Sequence, residues 1–402
     1  MKLAAARILP LVAMLAAAAM PGLLAAATPA PASPAPGPAP TRAALPDTLA
    51  AIVARTAAAN PSAPGVVATV VCPRLGLRWS GAAGLADHDG PPLTPAHTLR
   101  IASNTKTYVA AAVLRLVEEG RLALDQPVEP LLPPAWRDLL AGDGYDLQAI
   151  TIEHLLSHTG GLDEHAGDPR YGEAIIADPQ HRWTAEEQLR RCVEWTDPVG
   201  APGEGFFYSD TGYLLLGRIV EDVTGQPLGP AVRTLLDYDR LGLHATWWEL
   251  MEPAPAGAAP RAHQYFGPLD SHDWHPSLDL YGGGGLVADV HDLAAFMRAL
   301  IGGQVLREEA TLKAMTGRGT TRYRLGVVCA DLSGHLGWGH QGFWNTFAFH
   351  VPSLDLTVAG ALLDHEAVNG RELADALVAA VAAATGDAAS AAPSGAASAA
   401  AH

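Results

Sequence analysis

The placing of strand-like and helical segments along the chain constrains the fold most. GVVATVVC (65–72) and GLRWSGAAG (76–84) flank a Pro-Arg turn and read as a strand hairpin. Further strand-like pieces come near the other end: RLGVVCA (324–330), a segment ending near Gly339, FWNTFAFHV (343–351) and LDLTVAGALL (354–363). Between them the pattern is helical. Val109, Val113, Leu116 and Val117 recur at helical spacing over 104–119, with Gly120 as the stop, which predicts an amphipathic helix. A second helix over 211–224 carries Leu214, Leu215, Ile219 and Val220 and ends at Gly225; a third, 292–303, follows the glycine run Gly282–Gly285; a last one spans about 371–384. Residues 130–200 mix Pro, Gly and short helical pieces, with Thr151 capping IEHLLSH. Strands at both ends imply one mostly antiparallel sheet assembled from the two termini and flanked by helices, with a helical insertion lobe. This is an α/β chain of the α+β kind.

A chain of 402 residues, 49% of them hydrophobic, can bury a large core. Its formal charge of −16 and lack of a basic run exclude a nucleic-acid partner, whose phosphates need clustered Lys and Arg. Small molecules or peptides fit, including cell-envelope fragments. Lys2 and Arg7, the apolar run from Ile8, and Ala25 and Ala27 before Thr28 form the three parts of a secretory signal over 1–27, a reading preferred to an uncleaved anchor. The mature protein is then expected to be periplasmic or secreted, with no integral membrane segment. A Pro/Ala linker (28–45), a single domain (46–385) and an Ala/Ser tail (386–402) follow. Cys72, Cys192 and Cys329 are odd in number and far apart; they read as buried small hydrophobes, with one disulfide left open and no metal-ligand spacing.

Only three of the 26 basic residues are lysines, and one of them, Lys106, follows Ser103 by three positions at a helix start. That spacing places the two on one helix face. A serine hydroxyl needs a base, which a lysine can become and an arginine cannot. The first turn of a helix also favours developing negative charge. Tyr208 lies in a Gly-rich approach just before the helix at 211, with Asp210 as the expected N-cap. In GWGHQGFWNTF (337–347), Gly339 and Gly342 bracket His340 at the expected start of a strand. Two other patterns read as structural. Lys313-Ala314-Met315-Thr316-Gly317 lies at a surface helix end, and His154 and His158, four apart, lack the Glu and third ligand of a zinc site. The loop HDWHPS (272–277) reads as surface that could reach a cleft rim. No cofactor is expected.

The set Ser103-Asn104-Thr105-Lys106, Tyr208-Ser209-Asp210 and His340-Gln341-Gly342, in that order, resembles the serine penicillin-recognising hydrolases. The branch is that of class C β-lactamases, D-Ala-D-Ala carboxypeptidases, D-aminopeptidases and esterases. LLSHTGGL (155–162) and GGGGLVADVHDLAAFMRAL (282–300) add to the likeness, which covers about 60–380. It implies a β-lactamase/transpeptidase-like fold. It also implies Ser103 as acylated nucleophile, Lys106 as base or proton relay, Tyr208 as general acid/base and the N–H groups of Ser103 and Phe343 as oxyanion hole. His340 and Gly342 would border the substrate. Asp210 departs from the family's Tyr-x-Asn: a carboxylate only accepts hydrogen bonds, holds Lys106 charged and repels a substrate carbonyl. The implied activity is hydrolysis of D-amino-acid amides or peptides, carboxypeptidase-like, through an acyl-enzyme. The alternatives are an esterase or β-lactamase of the same family, or a weakly catalytic protein binding β-lactams or peptidoglycan.

Overall fold

The computed structural model describes residues 42–319 and 322–386. The expected signal, most of the expected linker and nearly all of the tail lie outside the described residues. Eleven strands and twelve helices follow within them.

The main sheet has six antiparallel strands: β1 (Gly65–Cys72), β2 (Leu77–Gly84), β8 (Val328–Leu332), β9 (His335–Gly342), β10 (Thr346–Val351) and β11 (Leu356–Leu362), in the order β2-β1-β11-β10-β9-β8. Its two halves join where β1 pairs with β11, from Val66 opposite Leu362 to Val71 opposite Thr357. Both faces are covered, so β10 and β11 are buried throughout and read as nearly unbroken apolar runs. One face carries α1 (Leu45–Ala59) and α12 (Gly370–Thr385), whose Leu45, Leu49, Leu373 and Leu377 meet Phe347, Phe349 and Val358. On the other face Ala348 and Ala359 are small enough for α10 (Val290–Ile301) to lie close, packing Phe296 and Met297. Two small sheets complete the strands: β3 (Leu99–Arg100), β7 (Leu286–Ala288) and β4 (Trp247–Trp248) form one, β5 (Tyr265–Phe266) and β6 (Leu269–Asp270) the other.

The helical lobe is built around α2 (Thr105–Glu118), with α3 (Pro134–Gly142), α4 (Ile152–Leu156), α5 (Pro169–Ala177), α6 (Ala185–Trp195), α7 (Asp210–Thr224), α8 (Leu228–Leu236) and α9 (Tyr238–Leu241) before α10, and α11 (Glu309–Gly317) after it. Helix α2 is not amphipathic, as its spacing suggests. Every residue from Thr105 to Leu116 is buried, because the helix runs through the middle of the lobe and the alanines 110–112 admit neighbours on its remaining sides. Its one interior arginine, Arg115, pairs with Glu118 and Glu119.

Several boundaries differ from the sequence reading. Helix α1 was not expected, and residues 324–327 are not strand. His340 lies near the end of β9, not its start. Gly339 is needed there because a Cβ would stand 1.9 Å from the Ala348 carbonyl of the neighbouring strand. Thr151 does cap α4, and the reciprocal partner is His154 in the place usual for Glu. All three cysteines are free thiols. Lys313 is exposed on α11 and pairs with Glu309. No helix among the described residues is long and apolar enough to cross a membrane.

Candidate active site

Ser103 sits in a single 3₁₀ turn, Ala102–Asn104, that leads from β3 into α2. Ala102 has φ 44°, a left-handed conformation that costs a non-glycine residue about 1–3 kcal/mol and persists only where surroundings impose it. Here they do. The Asn104 amide donates to the Ile101 carbonyl and to Thr346 Oγ1, both at 3.0 Å, and the Thr346 hydroxyl donates back to Ile101. Gly342 closes against the same turn: a Cβ on it would be 2.3 Å from the Ile101 oxygen and 2.4 Å from Thr346 Oγ1. The end of β9 is thus pressed onto the serine's turn, while Ser103 stays partly exposed.

Lys106 is fully buried in the first turn of α2. Its three N–H groups are all used: Nζ donates to Ser103 Oγ at 2.9 Å and to the Gly283 carbonyl at 2.8 Å, and forms an ion pair with Asp210. The ammonium also lies 4.9 Å from the Tyr208 ring centre. Burial pulls its pKa down, but the charge of Asp210 and the hydrogen bond to it, with Asp279 nearby, outweigh that and hold it well above the ordinary lysine value. Lys106 is therefore a standing cation. The glycine run makes the close approach possible: a Cβ on Gly283 would meet Asp210 Cγ at 2.9 Å, and one on Gly284 would meet Asp279 Oδ2 at 1.9 Å.

Asp210 is the first residue of α7 and not its cap. Ser209 is the cap, its hydroxyl accepting from Gly212 N–H, which leaves the aspartate free to face the lysine. Tyr208 precedes the cap. Burial pushes its phenol above the usual range, while Lys106 and hydrogen bonds to Lys106 and Ser103 pull the other way without prevailing, so the phenol is protonated. His340 is buried and neutral: burial and Lys106 push its pKa down to about 3. Nδ1 donates to the Gln341 carbonyl, so Nε2 accepts from Tyr323 OH at 3.1 Å. It therefore supplies no positive charge.

Ser103, Asp210 and Phe343 line one cleft, of about 660 Å³ including its open mouth. Its other walls are apolar and aromatic, among them Tyr171, Ile175, Phe266, Trp274, Leu278 and Trp344. All but Trp344, which follows β9, come from the stretches 130–200 and 250–281, and Trp274 brings the HDWHPS loop to the wall. Arg100 fixes that loop, donating to the carbonyls of Ser271 and Trp274 and pairing with Glu249. Among the described residues, none of the cleft-lining side chains is basic.

Two carboxyls that sequence reasoning missed complete the surroundings. Asp279 lines the cleft; burial and the nearby Asp210 push it up to about 7. Glu164 accepts from the backbone N–H groups of Ala166 and Asp210, and burial with Asp210 again raises it well above the carboxylate range. Three carboxyls thus surround one ammonium. His154 and His158 do not face a common metal: each uses Nδ1 to accept a backbone N–H, from Thr151 and Ser209. Among the described residues Asp87, His263 and Asp270 could hold an ion, with donor atoms within 4.8 Å of one another, but His263 Nδ1 already bonds Asp270 at 2.8 Å.

Comparisons with known proteins bear on the fold and the family. Solved structures with the same architecture include D-amino acid amidase from Ochrobactrum anthropi SV3, with a TM-score of 0.71, 22% identity, and coverage of 84% of this chain and 98% of that one. A D-stereospecific amidohydrolase from Streptomyces sp. gives 0.69 at 29% identity with the same coverage. In sequence, the chain is 42% identical to esterase EstB of Burkholderia gladioli over 168 residues, covering 40% of this chain and 41% of the esterase. It is 29% identical to a putative D-alanyl-D-alanine carboxypeptidase of Salmonella schwarzengrund over 248 residues, covering 54% and 55%. The chain thus matches about two-fifths to just over half the length of these curated relatives. The Beta-lactamase family profile matches residues 49–383, a span that contains the Ser103 turn, the Tyr208 approach and β9, and the chain belongs to that family of serine hydrolases.

Proposed function

We propose that the protein hydrolyses amides of small D-amino acids that carry a free amino group and an apolar side chain, through an acyl-enzyme on Ser103. The observation that carries this is the cleft lining: apolar walls beside the serine, two carboxyls, Asp210 and Asp279, and no basic side chain. A substrate ammonium finds partners there. A substrate carboxylate, such as the one that ends a D-Ala-D-Ala peptide or sits on a β-lactam, finds no free cation, because Lys106 is buried and already paired with Asp210. The D-specific amide hydrolases among the structural neighbours support the stereochemistry.

Because Lys106 is charged, it serves as a relay. Ser103 Oγ–H passes its proton to Lys106 as Lys106 passes one to Asp210, and the alkoxide attacks the carbonyl. The N–H groups of Ser103 and Phe343 receive the oxyanion, an interaction of about 3 kcal/mol in the transition state. Tyr208 protonates the departing amine and is reprotonated through Lys106 from Asp210, so the serine proton ends on the leaving group. Water repeats the sequence in reverse on the acyl-enzyme.

Competing substrates test this reading. D-Phe-amide is expected to exceed N-acetyl-D-Phe-amide in kcat/KM by about 10- to 100-fold, the worth of a charge-assisted hydrogen bond. Both should exceed D-Ala-D-Ala peptides, and equal rates for the free and acetylated amides would sink the ammonium reading. The pH profile carries the same information. Ionised Asp279 attracts the ammonium, so kcat/KM for D-Phe-amide should rise as pH passes about 7, and that limb should vanish in Asp279→Asn. An esterase is the second reading, favoured by the 42% identity to EstB, and p-nitrophenyl esters belong in the same panel. The signal-like segment over 1–27 supports action outside the cytoplasm; an intact mass beginning at Thr28 in the exported protein is the expected result, and a retained segment would count against it.

A further inference from the structure

His158 takes no part in the chemistry above, yet it is built into the segment that carries Tyr208. Helix α4 ends at Leu156, and the chain then enters a left-handed conformation at His158, φ 56°. The turn lays 203–209 against 158–159: the His158 carbonyl accepts from Phe207 N–H at 2.8 Å and the Thr159 carbonyl from Gly203 N–H at 2.7 Å. The imidazole is 3% exposed. Its Nδ1 accepts Ser209 N–H at 3.1 Å, so the ring hydrogen is on Nε2, and that buried Nε2 has no hydrogen-bond partner. The ring centre lies 4.3 Å from that of Tyr208, 4.5 Å from Tyr323 and 5.1 Å from Tyr213.

An orphaned buried N–H is costly, and a phenylalanine would fill the same volume without it. What phenylalanine lacks is the acceptor for Ser209 N–H. We propose that His158 is a positioning residue for Tyr208: it fixes the backbone immediately after the tyrosine through Nδ1 and the phenol ring through its face, holding the hydroxyl between Ser103 and Lys106. This rests on Tyr208 acting as the acid that protonates the leaving group. A displacement of about 1 Å in a proton-transferring group costs about a hundredfold in rate.

The test compares His158→Phe, which keeps the bulk, with His158→Asn, whose carboxamide oxygen can accept Ser209 N–H and whose backbone tolerates the left-handed region. His158→Phe is expected to lower kcat on D-Phe-amide about a hundredfold with KM within about twofold, and His158→Asn to restore most of that loss. The loss should be much smaller on p-nitrophenyl esters, whose leaving group needs no proton. In a Tyr208→Phe background His158→Phe should add almost nothing, since it works through the tyrosine. Full additivity, equal losses in the two His158 variants, or an unchanged kcat in His158→Phe would each overturn the proposal. The activity of Tyr208→Phe alone reports separately on the acid role: wild-type activity there would remove that role and the proposal with it.

Discussion

Replacing Ser103 by alanine is expected to reduce turnover of every substrate at least a thousandfold while leaving the fold unchanged. Loss of a nucleophile in enzymes of this type leaves only the rate enhancement that binding and oxyanion stabilisation provide. The side chain is partly exposed and bonds Lys106 and Tyr208, of which Lys106 keeps its bonds to Gly283 and Asp210, so little stability depends on it. Intact mass after treatment with a fluorophosphonate gives the independent reading: one adduct on the wild type, none on the variant. An adduct on Ser103→Ala would place the nucleophile elsewhere. Adduct formation by the wild type with no turnover of amides or esters would favour a protein that binds its ligands without releasing them.

The second large effect is expected from Asp210→Asn. Removing one partner of a buried ion pair costs about 3–5 kcal/mol, because the remaining charge is left buried and unpaired. Asparagine keeps one acceptor oxygen, so the lower end of that range, about 3 kcal/mol, is expected. The sign with pH follows from Lys106, whose pKa in the folded chain is raised above its ordinary 10.5. A raised lysine stabilises the fold at every pH below the unfolded value and loses that contribution as pH rises through the folded value. The gap in unfolding free energy between wild type and variant should therefore be constant above about pH 8, where Asp279 is ionised in both proteins, and close only in strong alkali. Activity should change in kind as well as in amount. Without the relay's acceptor, turnover of D-Phe-amide should fall about a hundredfold. Conversely, a neutral carboxamide can donate to an acylamino carbonyl, so acylation by penicillins or nitrocefin should speed up. A variant as stable and as active on the amide as the wild type would show that the ion pair has neither role.

Much of this site was legible in the sequence, for reasons that differ by residue. Ser103, Lys106 and Tyr208 stand in short motifs whose spacing has a chemical meaning, and the structure brings all three together. The middle of the sheet was legible because β1, β10 and β11 are buried on both faces and so form continuous apolar runs. Asp279 and Glu164 were not, since they are two among 42 acidic residues and lie in segments without periodicity. Only a fold that sets them beside Asp210 distinguishes them. Ser209 and Asp210 are both good helix caps, and the choice between them depended on which side chain the buried lysine would claim. The glycines around His340 suggested a strand start, whereas they mark where another backbone comes too near for a side chain.

The pairing of β1 with β11 also orders events during synthesis. Val66 and Leu362 are partners separated by 296 positions (362 minus 66), so one edge of the first hairpin stays open until nearly the whole chain exists. Gly342 and Phe343 belong to the same late segment. A nascent chain therefore carries Ser103, Lys106 and Tyr208 for the 134 residues between Tyr208 and Gly342 (342 minus 208) without the strand end that presses on the serine's turn, and hydrolytic competence begins only when the last strands join.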